Sequence, residues 1–518
     1  MRGSGARTDH ITPRAGLAVW ICFLAMCLGM FMAILDIQIV VTSLPAISQA
    51  LDIPDNRMSW VQTAYLIAEV IVIPLTGLLT RALTLRGLFL IALVTFTVAS
   101  IACALATDFE SLVAPRIIQG LAGGCLIPLV FSSVFLMFPK SAQGAATTIA
   151  GAFAVLAPTL GPTVGGYITE TYSWPWLFLV NVVPGVLAIT VAAVLAPHGR
   201  GDRSVLWRID WIAAGCLAIG LTALEIALKE GPERGWLTMP ALPLAVMFLL
   251  ATVGFLVRSL RHGEPIVDLR LFGERNFAVA SVISFLFGIG LFSTVYLMAL
   301  FLGLVRHHDP LSIGLVMVVT GLAQLIAAPA VVQLELRSDA RLLTAAGLVI
   351  FAAGLAMSGW QTPATDYDEM FWPQVVRGVG IMLCLIPPTR LALGALDRAR
   401  VPDGSALFNL MRNLGGAIGI AITDTVLWQR TPHHADALGR GLMAGDIETA
   451  KFIGIPPDLL PPPGVVPSEQ DIALAQPLVE AAALTMATNE AWLMLAGVTM
   501  AGLLVLNAAR RTEPGMAP

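Results

Sequence analysis

Residues 115–128 read PRIIQGLAGGCLIP, and residues 373–387 read PQVVRGVGIMLCLIP. Both stretches begin and end with proline and place an arginine, glycines and a cysteine in a similar order. A weaker pair follows them, QGAATTIAG from Gln143 and DGSALFNLM from Asp403. The offset is about 259 residues, close to half of the 518-residue chain. The sequence therefore predicts two halves that fold alike.

The composition excludes a water-soluble protein. The chain is 57% hydrophobic and only 12% charged, and its mean hydropathy is +0.81. Soluble domains carry roughly 25% charged residues, whereas a membrane-spanning helix needs roughly 20 apolar residues. We predict an all-α polytopic membrane protein with fourteen spans. In order, the spans are 16–45, 58–80, 87–106, 111–137, 143–168, 176–197, 209–228, 240–258, 277–304, 311–332, 342–360, 371–395, 404–428 and 489–509.

The repeat divides these spans into two sets of six. It maps span 4 onto span 12 and span 5 onto span 13, so that spans 7 and 8 are left over as an insert. We predict an N-terminal six-helix bundle at 1–205, an inserted transmembrane helix pair at 206–262 and a C-terminal six-helix bundle at 263–518. Parallel repeats of six spans with a central site are typical of secondary transporters, which rock one bundle against the other.

The distribution of basic residues predicts the orientation. With the N-terminus inside, twenty of the thirty Lys and Arg residues fall on the cytoplasmic side and seven fall outside. Because cytoplasmic loops retain Lys and Arg, both termini are expected in the cytoplasm. The first span follows Arg2, Arg7 and Arg14 and is interpreted as an uncleaved span rather than a signal peptide. The formal net charge of −4 gives no indication of nucleic-acid binding.

Residues 431–487 form the one long connection and are expected outside the membrane. Their prolines, in PPDLLPPPGVVPSEQD, exclude a continuous helix through the middle. Two interpretations stay open: a flexible loop, or a partly helical segment on which a partner docks.

Two charged residues within the spans have matching depth. Asp36 lies about 20 residues into an outward-running helix, and Arg116 lies near the outer end of span 4. A charge in hydrocarbon costs at least ~2.5 kcal/mol, which makes such residues functional candidates. Our hypothesis is that Asp36 binds a proton and that Arg116 keeps the carboxylate charged while the two are close. The alternative is a permanent buried salt bridge.

Glu69 lies near the midplane in a span without a basic residue. An unpaired buried carboxyl group is expected to be neutral much of the time, which suits a proton carrier or a site for cationic substrates. A structural glutamic acid bonded to a neighbouring helix is the alternative. Glu225 and Lys229 are interpreted as an i,i+4 ion pair at an outer helix end.

The second half has fewer candidates for proton coupling. For Arg377 and Arg412 a structural role is favoured. Their possible acidic neighbours are Asp424 in span 13 and the outer cluster of Asp366, Asp368 and Glu369.

Span 5 contains GAFAVLAPTLGPTVGG from Gly151 to Gly166. Pro158 and Pro162 remove backbone donors and bend a helix, while small residues let another helix approach closely. The string predicts a gating helix, although glycine also serves ordinary helix packing.

Enzymatic and metal-binding functions find little support. None of the three lysines follows a glycine, so that no phosphate-binding loop is present, and neither HExxH nor GxSxG occurs. The six cysteines lie in apolar runs without a CxxC motif and are interpreted as packing residues. No catalytic residue, cofactor or metal site is predicted, and the short termini offer no signalling domain for a receptor.

Four motifs together resemble a known family. They are LDIQIVVTSLP from Leu35, RIIQG from Arg116, LAPTLGPTVGG from Leu156 and WPWLFLVNVVPG from Trp174. They resemble the EmrB/QacA-type drug:proton antiporters of the major facilitator superfamily, in its fourteen-span branch. The likeness extends to WPQVVRGVGIMLCLIPPT from Trp372 and SALFNLMRNLGGAIGIAITDT from Ser405, which are closest to the EmrB branch.

The resemblance implies roles for particular residues. Asp36 matches the acidic residue of the first span. Arg116, Gln119 and Gly120 match the RxxQG motif of span 4. The antiporter motif of span 5 is matched by Gly151, Pro158, Gly161, Pro162, Gly165 and Gly166.

The chain departs from the family pattern in the loop after span 2. GLLTRALTLRG keeps Gly77 and Arg86, but Arg81 replaces an acidic residue and Thr84 replaces a glycine. The gate contact normally made by the acidic residue is therefore expected to differ. Gln38 stands where the family commonly has threonine.

The resemblance also implies a function and partners. We expect proton-driven export of hydrophobic drugs or toxic compounds across a bacterial inner membrane, with protons as the coupling ion. EmrB-like proteins work with an EmrA-like periplasmic adaptor and an outer-membrane channel. Export of one endogenous metabolite or a siderophore is the alternative substrate class, and a receptor or embedded enzyme is the alternative from another class of protein.

Overall fold

The structure is a computed structural model that describes residues 16–53, 55–58, 60–199, 201–207, 210–261, 265–456 and 469–511. Within these ranges the regular structure is helical and no β-strand occurs. The N-terminal Arg2, Arg7 and Arg14, used above to predict the orientation, lie outside the described residues.

Fourteen long helices follow one another along the chain. The first six are α1 (Leu17–Ala50), α2 (Trp60–Val72), α3 (Thr76–Ala104), α4 (Phe109–Met137), α5 (Lys140–Thr171) and α6 (Val182–Leu195). The next two are α7 (Trp211–Arg234) and α8 (Ala241–Arg261). The last six are α9 (Arg275–Leu300), α10 (Pro310–Arg337), α11 (Ala340–Met357), α12 (Tyr367–Leu393), α13 (Val401–Met443) and α14 (Glu469–Leu506).

The number of membrane spans depends on how two irregular segments are counted. In the part of the chain that the structure describes, twelve helices are long and apolar enough to cross a membrane, or thirteen with the pair Lys140–Pro158 and Thr163–Thr171, which is bent by 47°. Trp60–Ala104 counts as one of them although it has 45 residues. A straight helix of that length would be about 68 Å long, more than twice the ~30 Å hydrocarbon thickness. The predicted fourteen are reached only if this segment is divided in two.

Two helices related by the repeat begin in the same way. Asp108 accepts a hydrogen bond from the backbone N–H of Ser111 at the start of α4, and the hydroxyl of Ser111 accepts one from the backbone N–H of Asp108. Asp366 and Glu369 form the corresponding capping box at the start of α12. Such reciprocal caps satisfy backbone donors that a helix end otherwise leaves unpaired.

The helices pack in two groups joined at a central interface. Helix α5 lies between α1 of the first group and α10 of the second, while α3 and α4 contact α13. Helices α7 and α8 pack mainly on each other, and α7 also contacts α2 and α13. The insert therefore touches both groups. The proposed domain boundaries at residues 205 and 262 remain predictions.

The outer segment 431–487 is helical where it is described. Helix α13 continues to Met443, a short helix covers Ile447–Ile453 and α14 begins at Glu469. Leu438, Ile453, Ala482 and Ala483 are buried together and hold these pieces against one another. A flexible loop does not describe these parts, and the proline-rich middle at 457–468 lies outside the described residues.

The six cysteines are free, and five of them are buried while Cys216 is half-buried. This agrees with their interpretation as packing residues.

Thr84 interrupts helix α3 with φ 70° and ψ 160°. This is a backbone region that is essentially restricted to glycine and costs other residues on the order of 1–3 kcal/mol. The hydroxyl of Thr84 accepts a hydrogen bond from the backbone N–H of Gly87 at 3.1 Å, which offsets part of this cost. A threonine thus adopts here a backbone conformation that favours glycine.

Substitutions at this position separate backbone strain from the hydrogen bond. Thr84→Gly and Thr84→Ala both remove the hydroxyl, but only alanine keeps a Cβ at positive φ. We expect Thr84→Gly to be more stable than Thr84→Ala by about 1–2 kcal/mol. The difference should be measurable as a higher thermal unfolding midpoint of the purified glycine variant in detergent. Equal midpoints would show that residue 84 is not held at positive φ.

Candidate site for proton coupling and gating

Asp36 and Arg116 form a salt bridge inside the first group of helices. Both side chains are 0% exposed, and they come from α1 and α4. The sequence prediction that the two lie at matching depth is therefore confirmed by their contact. Two charges at this depth require each other, since an unpaired buried charge costs several kcal/mol.

The guanidinium of Arg116 is held on several sides. Its Nε donates to the carbonyl of Val61 at 3.2 Å, and the ring of Tyr65 lies 4.4 Å from its Cζ atom. The ring of Phe178 lies at 5.7 Å. Nη2 has no hydrogen-bond partner among the described residues. Aromatic faces stabilise a cation without neutralising it, so the net charge of the cluster is set by Asp36.

Three neutral residues complete the hydrogen bonds of the pair. Gln119 donates from Nε2 to Asp36 at 3.0 Å and to the hydroxyl of Ser100 at 2.8 Å, while its Oε1 accepts from Arg116 at 2.8 Å. Asn181 donates to the same Asp36 oxygen at 2.8 Å. Sequence reasoning named Gln119 but missed Asn181 and Ser100. The sequence feature that could have indicated Asn181 is its position as the one amide side chain in the apolar stretch WPWLFLVNVVPG.

Gly120 brings α4 against α2. A Cβ at this position would overlap the backbone carbonyl of Tyr65 and lie 3.0 Å from the Cβ of Ala68. The close approach places Tyr65 below Arg116 and sets the position of Glu69 one turn further on. Glu69 is 3% exposed and makes no hydrogen bond or salt bridge with the described residues.

The second group of helices has a corresponding cluster without an acid. Ser358 and Arg377 follow Ser100 and Gln119 by the same 258 residues. Arg377 donates to the hydroxyl of Ser358 at 3.2 Å, as Gln119 does to Ser100. Its other contacts are the sulfur of Met298 at 2.7 Å and the ring of Trp492 at 5.0 Å. At this repeated position, an acid–base pair is therefore found in the first group but not in the second among the described residues.

The acidic neighbours suggested for Arg377 and Arg412 are wrong. Arg412 lies between the rings of Phe131 at 5.6 Å and Phe408 at 5.3 Å. Asp424 instead accepts a hydrogen bond from the hydroxyl of Tyr296. Spacing along the helices allowed these ion pairs, but the side chains point to different neighbours.

Asp366 of the outer cluster also has other partners. Arg306 bonds it at 2.8 Å and His308 at 3.1 Å. Although partial burial opposes the effect, the hydrogen bonds from Arg306 and the helix N-terminus hold the pKa of Asp366 below its ordinary value. The residue is thus an ionised cap.

The glycines and prolines of α5 lie at its contacts with both groups. A Cβ at Gly161 would overlap the side chain of Gln38 on α1, and one at Gly151 would lie 2.6 Å from Leu385 on α12. Gly165 and Gly166 are buried and Pro158 is half-buried, whereas the side chain of Pro162 lies outside the described part. The 47° bend of α5 falls between Pro158 and Thr163.

The first half of α3, where the sequence predicted a loop after span 2, joins the two groups at the ends predicted to face the cytoplasm. Arg81 forms a salt bridge with Asp403 in the first turn of α13, and a Cβ at Gly77 would overlap the same aspartate. Arg86 stays within the first group and donates to the carbonyl of Ala193 at 2.5 Å. The residue that replaces an acid at position 81 thus pairs with an acid of the other group, with the base on α3 and the acid on α13; a role of this contact in gating stays a prediction.

Many bilayer-length helices, a salt bridge buried at their centre and an ionic contact between two groups define a membrane transport protein. A family model described as Major Facilitator Superfamily matches residues 26–420. The chain is 36% identical to the colistin resistance protein EmrB of Acinetobacter baumannii, over 82% of this chain and 83% of that protein. It is 31% identical to the multidrug export protein EmrB of Escherichia coli K12 over the same shares.

A solved structure shows the same fold. The proton:xylose symporter XylE superposes with a TM-score of 0.59 at 13% identity, covering 96% of this chain and 97% of that one. The chain therefore belongs to the Major Facilitator Superfamily and, within it, to the EmrB-type transporters. The resemblance seen in the sequence motifs and the all-α polytopic fold are confirmed.

Gly120→Ala tests the close approach of α4 and α2. The added methyl group meets backbone that cannot move alone, and such overpacking costs about 1–3 kcal/mol. Gly497→Ala is the matched control, since a Cβ there meets nothing within 4 Å, and replacing a helical glycine gains up to about 1 kcal/mol. We expect the thermal midpoint to fall for Gly120→Ala and to stay level or rise for Gly497→Ala. An unchanged thermal unfolding midpoint for Gly120→Ala would contradict the close approach of α4 and α2.

Exchanging the charges of the gate contact tests its role. Arg81→Asp places two acids opposite each other, and we expect at least a fivefold loss of export at unchanged membrane expression. Arg81→Asp with Asp403→Arg restores the attraction, and most of the export should return in a drug-efflux assay on intact cells. Failure of the double variant to exceed the single one would show that the residues do not act as a pair.

Proposed function

We propose that this protein is a proton-coupled antiporter that exports hydrophobic drugs or toxic compounds across a bacterial inner membrane. The observation that carries the proposal is the fully buried Asp36–Arg116 salt bridge with its donors Gln119 and Asn181. The names of the EmrB relatives, a multidrug export protein and a colistin resistance protein, support export as the direction and drugs as the cargo.

The free energy of the charged Asp36 side chain depends on whether Arg116 is in contact with it, and coupling to protons needs such a dependence. While Arg116 and Asp36 touch, the carboxylate is stabilised in its charged form. Separating them leaves a buried charge, which costs about 3–5 kcal/mol unless a proton neutralises Asp36. A membrane potential of 100 mV supplies about 2.3 kcal/mol per elementary charge, so the entry of one proton offsets about half to three quarters of that cost.

Movement between the groups of helices links this pair to the cargo. Gly161 brings α5 directly against Gln38, two residues from Asp36 on α1, while the outer part of α5 contacts α10 at Gly314. Rocking of the two groups about α5 would therefore displace α1 near the salt bridge. Hydrophobic cargo is proposed to bind between the groups, among apolar and aromatic side chains of α1, α2, α4, α5 and their counterparts.

The outer helical segment is the proposed contact for an EmrA-like periplasmic adaptor, which would lead cargo to an outer-membrane channel. Its support is the extension of α13 and α14 beyond bilayer length and the buried cluster around Leu438 and Ile453. In this arrangement both termini are cytoplasmic, and the salt bridge between Arg81 and Asp403 closes the cytoplasmic side.

Asp36→Asn removes the proposed proton-binding carboxyl group while keeping its size. We expect uphill export in proteoliposomes, and the proton movement that drug addition causes, to fall to the level of protein-free vesicles. Glu110→Gln, which changes an exposed acid on α4, is the control and should export normally. Undiminished uphill export by Asp36→Asn would remove Asp36 from the mechanism.

A further inference from the structure

The repeat places a threonine of the second group where the first group has its buried acid. The offset of 258 residues that relates Gln119 to Arg377 also relates Asp36 to Thr294. It relates the first residues of α1 and α9 as well. The second group therefore has a base in place of the amide and a hydroxyl in place of the carboxylate.

Thr294 and Arg377 lie at the same depth and on facing helices. Arg377 is ten residues from the outer end of α12, and Thr294 is eleven residues from Val305, where the π-helical extension of α9 ends; each distance is about 15 Å. One turn after Thr294, the sulfur of Met298 lies 2.7 Å from Nη2 of Arg377. Because residues four apart share a helix face, Thr294 lies on the side of α9 that faces the guanidinium.

Three buried donors meet in this cluster without an acceptor. Nε of Arg377, Nε1 of Trp492 and the hydroxyl of Thr294 have no hydrogen-bond partner among the described residues. The three side chains are 1%, 0% and 4% exposed. They come from α12, α14 and α9, and α9 packs on both of the other helices. Burying a donor without an acceptor is costly.

The unpaired hydroxyl of Thr294 is a particular feature of this position. A buried threonine in a helix can donate to the carbonyl one turn earlier, as Thr344 and Thr389 do at 2.8 and 2.7 Å. The hydroxyl of Thr294 does not make this bond. It therefore remains available to a ligand on the side of Arg377.

The positive charge of Arg377 is not neutralised by the described part of the chain. No acidic group there forms a salt bridge with it or acts on its ionisation. The hydroxyl of Ser358 accepts one of its hydrogen bonds and donates its own proton to the carbonyl of Gly354 at 3.1 Å. The thioether of Met298 is only a weak acceptor. A buried guanidinium with neutral partners alone is a costly arrangement.

A small monovalent anion is the ligand that matches these groups. One chloride ion neutralises one guanidinium, and it accepts hydrogen bonds from N–H and O–H groups without donating any. A water molecule would satisfy the donors but leave the charge. Side chains that are at most 4% exposed, inside one group of helices, exclude a bulky organic anion. The flexible thioether of Met298 can move to admit a single ion.

We propose that the second group of helices binds one chloride ion between Arg377, Trp492 and Thr294. The ion would stand where the carboxylate of Asp36 stands in the first group, so that each half contains one buried pair of opposite charges. The proposal concerns a binding site outside the Asp36 cluster and does not depend on proton coupling.

The test compares anions on the purified full-length protein. Thermal unfolding midpoints are measured while sodium gluconate is replaced by sodium chloride or sodium bromide at constant ionic strength. We expect both halides to raise the midpoint of the wild type by about 2–3 °C in a saturable way, because a ligand that binds only the folded state stabilises it. Crystals grown in bromide should show an anomalous peak within hydrogen-bond distance of Arg377.

Two substitutions should remove the halide effect for different reasons. Thr294→Asp supplies an internal carboxylate at the position of Asp36, and its midpoint should be the same in gluconate and in chloride. Arg377→Gln restores the amide of the first group and removes the positive charge, so it should also lose the shift. Arg398→Gln is the matched control, because it removes an exposed arginine just beyond the same helix and should keep the shift.

The proposal is overturned by any of three results. They are equal midpoints of the wild type in chloride and gluconate, a full halide shift in Thr294→Asp or Arg377→Gln, and bromide peaks that lie only at the protein surface. If Arg377→Gln does not fold, Thr294→Asp and the bromide peak decide the question.

Discussion

Charge at bilayer depth must be stabilised by an opposite charge or by polar and aromatic partners, and this constraint organises the functional part of the molecule. Asp36 and Arg116 satisfy it by pairing with each other and by taking every nearby amide as a donor or acceptor. Arg377 satisfies it differently, with a sulfur, a hydroxyl and an aromatic face, and remains a cation. Among the described residues, only the first of these two arrangements contains an acid.

The interface between the halves depends on small side chains and one ionic contact. Gly151 and Gly161 let α5 approach helices of both groups, and Gly77 lets the start of α3 approach Asp403. The Arg81–Asp403 salt bridge places a base on α3 opposite an acid on α13, with Arg81 partly exposed and Asp403 buried.

Sequence alone predicted the features that depend on composition, periodicity and long-range repetition. The helical fold follows from apolar runs, and the contact of Asp36 with Arg116 followed from counting residues to equal depth. Asn181 and Ser100 were missed because a neutral polar residue in a span resembles ordinary packing. The ion pair predicted between Glu225 and Lys229 was wrong. Their i,i+4 spacing permits it, but in the structure the ammonium group of Lys229 lies against the ring of Trp60 on α2. Local spacing cannot reveal such competition between neighbouring helices.

The central claim is that Asp36 is the carboxyl group that gains and loses a proton as the protein changes between its drug-free and drug-bound states. Infrared difference spectroscopy on lipid-reconstituted protein observes the carbonyl stretch of a protonated carboxylic acid directly. The account predicts that drug binding changes this band in the wild type, and that the component lost in Asp36→Asn is still present in Glu110→Gln. An identical difference band in the wild type and in Asp36→Asn would contradict the account, because the proton would then reside on another group.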